Sequence, residues 1–186
     1  MPRIVDYAEV LQSLTERGLV SLYFNSGAFG FDRGVPVQHA GWILREDATI
    51  RPAARELARL ITGDESTLAT MAARVIDRQG VWLMPKSHWA YELDFGSSAW
   101  LPGALEAIGV DAASLIKRHD GTAIEFLPVE RAGFESLVTA LLQHLAGSDF
   151  MFVTANARTI CTVHHHKQLW WTSPDADVIE AVKAMT

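Results

Sequence analysis

The sequence predicts an α+β fold with a mixed or mainly antiparallel sheet, in which a C-terminal three-stranded meander is packed by several amphipathic helices. Three observations carry this. Stretches with apolar residues at helical spacing are mixed with short aromatic and β-branched runs, without a regular strand-helix alternation. The last three strand candidates, over 150–154, 158–165 and 168–172, are joined by links too short for the crossover that parallel neighbours need. Residues 88–95 alternate apolar and polar side chains, the pattern of a half-buried strand.

In chain order, Asp6 stands where a cap would open a first helix carrying Tyr7, Val10, Leu11 and Leu14, and Gly18 is placed to end it. Residues 19–24 read as a strand. Residues 25–34 hold three glycines and the aromatic Phe29 and Phe31, a loop suited to a binding lid or to folding back on the core. Pro52 opens a predicted helix through Leu57, Leu60 and Ile61. Leu68, Met71, Ala72, Val75 and Ile76 form the stripe of the next helix, so the two make a helical hairpin. Residues 81–84 are a strand stopped by Pro85. Two short helices, over 100–108 and 111–118, part at Gly109. Residues 123–127 form a strand, and 130–145 form the most regular helix, with Phe134, Leu137, Val138 and Leu141 on one side. Turns at 155–157 and at His166-Lys167 join the meander, and Ser173-Pro174 precedes a last helix.

The chain has 186 residues, 49% of them hydrophobic. That is ample for one core, so residues 1–186 read as a single globular domain, with a subdivision near residue 80 if there is one. Sixteen basic residues are spread among 22 acidic ones, which gives no Lys/Arg stripe to neutralise phosphates and argues against nucleic acid as a partner. No apolar run approaches the ~20 residues that span a bilayer, and Asp6 interrupts the N-terminal apolar stretch before a signal core forms. These features predict no membrane association and a cytoplasmic location. The single cysteine, Cys161, lies between Ile160 and Thr162 and reads as a buried, inert thiol.

The run His164-His165-His166 has the clearest chemical potential. On a strand, His164 and His166 share one face and His165 takes the other, so the first two form a candidate pair of metal ligands. If the predicted strand over 88–95 were a neighbour, its polar face would add His88, Glu92 and Asp94. The result would be a His-plus-carboxylate site for zinc, iron or nickel with a position open to water. The plainer account is a hairpin turn decorated with imidazoles and a solvated acidic face.

Six tryptophans suggest an interaction surface. Trp170 and Trp171 are adjacent on a strand, so at most one faces the core and the other meets solvent, a partner or a covering helix. With no nucleotide-binding glycine pattern and no hydrolase elbow, the favoured expectation is an acidic binding protein of inhibitor, toxin-neutralising or assembly type. Its partner would be another protein, its contacts Phe29, Phe31, Trp170 and Trp171, and it would need no cofactor. The alternatives are a metal-dependent hydrolase or oxygenase built on the histidines, and a small-ligand domain with its pocket under residues 25–34. An unpaired edge beside residues 169–172 would offer a homodimer contact.

Overall fold

Alternation along the strands sorts the side chains into two cores. On β5 (Val81–Pro85), Val81 and Leu83 join one core while Trp82 and Met84 join the other. The same division holds on β7 (Phe150–Thr154), with Phe150 and Phe152 opposite Met151 and Val153. A strand buried on both faces needs no polar side, so β5 and β7 read as continuous apolar runs. The computed structural model describes residues 1–21, 41–44, 59–76 and 79–184, with Ile43, Arg59 and Leu60 as backbone.

The described elements run β1 (Arg3–Val5), α1 (Tyr7–Glu16), β2 (Leu19–Ser21), β3 (Trp42–Leu44), β4 (Arg59–Thr62), α2 (Glu65–Ile76) and β5. They continue with α3 (Trp89–Tyr91), a π-helical turn (Glu92–Gly96), α4 (Leu101–Ala107), α5 (Ala112–Ile116) and β6 (Ala123–Phe126). A 3-10 turn (Pro128–Glu130) leads into α6 (Arg131–His144), followed by β7, β8 (Ile160–His164), β9 (Gln168–Thr172) and α7 (Ala176–Lys183). Among the described residues, seven strands form one sheet in the order β1-β6-β5-β7-β8-β9-β4, with every pairing antiparallel. β2 and β3 make a separate antiparallel pair. The fold is α+β with the expected C-terminal meander, β7-β8-β9.

One face of the sheet is covered by α2 and α6, whose apolar stripes supply Leu68, Ala72, Ile76, Phe134, Leu137 and Leu141. Edge-to-face rings run through this core from Phe126 to Phe134, Phe152 and Trp171, with centroids 5.2 to 5.5 Å apart, the spacing at which aromatic quadrupoles attract. The other face is covered by Val10 and Leu14 of α1, Leu19 of β2 and Trp42 of β3. Arg17, at the end of α1, donates from Nη1 to the carbonyls of Thr154, Ala155 and Ala157. It thereby fastens α1 to the β7-β8 turn.

Three expectations are corrected. Residues 88–95 are not a strand: His88 caps α3, its Nδ1 accepting the Tyr91 N–H at 3.0 Å, and the chain continues into the π-helical turn. Trp89 and Leu93, four residues apart, are buried while Tyr91 and Phe95 are exposed. The apparent period of two was half a helical period of four. Residues 59–62 are a strand rather than the end of a helix, because Arg59–Thr62 pairs in register with residues 171 to 168. For the same reason β9 is not an edge, and the homodimer contact expected beside residues 169–172 is already filled by β4.

Candidate functional site

The register of β5, β7 and β8 builds a polar row across one end of the sheet. Pro85 faces Phe150 and Phe150 faces Val163, so one residue further along the strands Lys86, Asp149 and His164 stand side by side. The Lys86 N–H donates to the Asp149 carbonyl at 2.9 Å, extending the ladder by one pair. Lys86, Asp149 and His164 share the face of Met84 and Met151 because side chains alternate along each strand. Asp149 is the hub: its Oδ2 lies 3.7 Å from Lys86 Nζ and 3.9 Å from His164 Nε2. Its Oδ1 takes the His165 backbone N–H at 3.1 Å and lies 2.8 Å from His165 Nδ1.

The histidines meet because the chain leaves the strand at His164. Residues 165–167 form the three-residue turn of the β8-β9 hairpin, and Lys167 closes it with φ at +58°. That is the left-handed position that ends such turns, usually filled by glycine. The turn carries His165 away from the opposite face that strict alternation assigns it. One ligand atom from each of His164, His165 and His166 then lies within 4.8 Å of the others. His164 is buried, His165 half-buried and His166 exposed. Among the described residues this is the one group of three His, Cys, Asp or Glu side chains placed to hold a metal ion.

The three imidazoles are not equivalent. His164 Nδ1 accepts the His166 N–H at 3.1 Å, so a neutral ring there carries its proton on Nε2, toward Asp149. Its free lone pair is already engaged. His165 is arranged the other way, with Nδ1 donating to the Asp149 carboxylate and Nε2 left as the acceptor. A carboxylate behind a histidine in this manner fixes the tautomer and makes the far nitrogen a better ligand or base. His164 also lies against Trp170, centroids 4.5 Å apart and planes within 7°. Burial pushes its pKa down, His165, His166 and Lys86 push the same way, and Asp149 opposes them. Lys86 is pushed down to about 8 by burial, against the pull of Asp149. Its Nζ has no hydrogen-bond partner among the described residues.

The structure does not add His88, Glu92 and Asp94 to this group. His88 is exposed and its Nδ1 is used in capping, and Asp94 is exposed on the π-helical turn. Glu92 is fully buried and accepts hydrogen bonds from three serine hydroxyls. The predicted strand that was to align these residues does not form, and their shared polar face disappears with it. Of the two tryptophans, Trp171 is wholly buried in the core and Trp170 is half-buried over His164. This is the division adjacent strand positions require, and it removes Trp171 from the surface. Phe29, Phe31 and the loop 25–34 lie outside the described residues.

Asp149 and Lys86 were missed in the sequence because neither belongs to a local motif. Their signal is register, since each directly follows or precedes a strand that pairs with the other. Cys161, on the face opposite His164, is buried, and burial raises its pKa well above the ordinary thiol value, as an inert thiol requires. Set against models of known families, curated proteins and solved structures, the chain matches none of them.

Proposed function

We propose that the β8-β9 turn is a binding site for a divalent transition-metal ion and that the chain works as a metal-dependent protein of hydrolytic or oxidative type. The observation that carries this reading is the Asp149-His165 pair at 2.8 Å, which leaves His165 Nε2 free beside two further imidazoles. Nitrogen donors favour zinc, nickel, copper or iron over magnesium or calcium. A tetrahedral ion with ~2.0 to 2.1 Å bonds needs donors about 3.3 Å apart. The ligand atoms lie within 4.8 Å of one another, so binding would draw them closer, with the exposed His166 ring the freest to turn while Asp149 holds His165. His165 and His166 would supply the first two donors, His164 would join once its Nδ1 is released from the His166 N–H, and the remaining positions would take water, whose acidity rises on binding.

The test is elemental mass spectrometry and zinc titration calorimetry on untagged protein purified without a metal column, beside His165→Ala/His166→Ala. Near-stoichiometric metal, lost in the variant, is the expected result. Wild-type protein that takes up no zinc would overturn the reading.

A second reading, a protein-interaction role, is favoured by a different observation. Tyr91 and Phe95 are exposed, Phe95 to 77%, with their rings 6.4 Å apart. Tyr91→Ser/Phe95→Ser separates the two readings, because it leaves the histidine turn intact.

A further inference from the structure

The serines next to Lys86 and Asp149 in the chain both donate to one buried carboxylate, that of Glu92. Glu92 is fully buried within the π-helical turn. Its Oε1 accepts from Ser87 Oγ at 2.5 Å, and its Oε2 accepts from Ser97 Oγ at 2.8 Å and Ser148 Oγ at 2.9 Å. A buried carboxylate is costly unless its lone pairs are filled, and here three hydroxyls from three separate segments fill them. The backbone is shaped to the same end. The Ser97 N–H donates to the Glu92 carbonyl at 2.7 Å, five residues back, the bond that defines a π turn and one often found at functional sites. Gly96 gives the carboxylate room, since a Cβ there would stand 2.8 Å from Glu92 Oε2.

Two of the three hydroxyls have a particular place in the chain. Ser87 follows Lys86 and Ser148 precedes Asp149, and Lys86 and Asp149 are paired across β5 and β7. Successive strand residues point to opposite faces. Lys86 and Asp149 therefore face the histidines, while Ser87 and Ser148 face the side on which Leu93, the neighbour of Glu92, packs into the helix-covered core.

We propose that Glu92 is a positioning residue of the histidine site. By gripping Ser87 and Ser148 on one face of the sheet, it fixes Lys86 and Asp149 on the other and so holds Asp149 against His165. As a role in metal binding this rests on the reading of the turn as a metal site. As a role in fixing the His165 ring, it stands on the Glu92-Ser148 hydrogen bond, the peptide bond from Ser148 to Asp149, and the Asp149-His165 hydrogen bond.

Ser148→Ala in the full chain is the direct test, because it cuts the link while leaving Glu92 its bonds to Ser87 and Ser97. Ser148→Thr restores a hydroxyl, and Glu92→Gln replaces one acceptor oxygen with a donor. Two readouts are taken: the His165 tautomer by long-range 1H–15N NMR, and zinc affinity by calorimetry. Wild type and Ser148→Thr are expected to show a single Nδ1-protonated His165. Ser148→Ala and Glu92→Gln are expected to show mixed tautomers and zinc binding weakened about tenfold or more, with near-UV circular dichroism unchanged. An unaltered His165 spectrum in folded Ser148→Ala overturns the proposal. If wild type binds no zinc, the metal reading fails and the tautomer alone decides the role of Glu92. If zinc binds and Ser148→Ala changes neither readout, the metal reading stands and the Glu92 role falls.

Discussion

The His164 imidazole lies flat on the Trp170 indole, with centroids 4.5 Å apart and planes within 7°. The two are diagonal neighbours on one face, since His164 pairs with Gln168 and Thr162 with Trp170, a separation that aromatic rings can bridge. The stack lies over a buried position, and burial favours the neutral ring.

That preference has a measurable sign. The folded-state pKa of His164 is below its ordinary 6.5, so on acidification the unfolded chain takes up this proton first. Stability is whole above 6.5 and falls as the pH drops below it, levelling off once folded His164 is itself protonated. Thermal melts across this range are expected to show a steeper acid loss for wild type than for His164→Phe. Equal slopes would remove His164 as the cause.

Lys86 gives the same sign in an alkaline window. Its pKa falls from 10.5 to about 8 in the fold, so between these values the unfolded chain holds a proton that the folded chain has released, and stability rises with pH. Lys86→Met is expected to be more stable than wild type at neutral pH by on the order of 1 kcal/mol. The gap should narrow as the pH is raised toward 10.5. Urea denaturation at several pH values checks both the sign and the narrowing.

The adjacent tryptophans should differ sharply. Trp171 is fully buried against Phe152, and its truncation to Ala is expected to cost about 3 to 5 kcal/mol. Trp170→Ala, at a half-buried position, should cost less than about 2 kcal/mol. Trp171 Nε1 has no hydrogen-bond partner among the described residues. Trp171→Phe therefore removes an unsatisfied donor along with some packing, and should be much milder than Trp171→Ala in the same denaturation experiment.

The hairpin turn can be tested at Lys167. Lys167 pairs with Glu65, so Gly and Ala at this position both lose that contact and differ only in how they tolerate φ of +58°. Lys167→Gly is expected to be more stable than Lys167→Ala by roughly 1 kcal/mol. Equal melting temperatures would show that the turn relaxes.

Much of the sheet was legible because its signals are local. Turn formers at Asn156 and short spacings define β7, β8 and β9, and the stripe from Phe134 to Leu141 defines α6. The segment from His88 to Phe95 misled because residues four apart satisfy both periods, and His88 is not a residue whose capping role a sequence announces. The segment 59–62 misled because Leu57, Leu60 and Ile61 fit a helix, while pairing with β9 decides the outcome. The histidine site was half visible. The run itself stands out, but Asp149 and Lys86 join it through the register of three strands. Glu92 enters the sequence reading only through the polar face of a strand that does not form, and the structure places its carboxylate among three serines instead of among the imidazoles.

The strand order has a consequence for how the molecule comes into being. β5 sits between β6 and β7, yet the chain passes through α3, α4, α5 and α6 before β7 follows. Closing that long loop costs entropy before any β5-β7 bond repays it, and topologies of this kind fold slowly. The β8-β9 hairpin and its three histidines can form early from neighbouring residues, but Lys86 reaches Asp149 only when the distant strand docks. The row across the sheet is thus a record of completed assembly, and its chemistry belongs to the finished fold rather than to the hairpin that displays it.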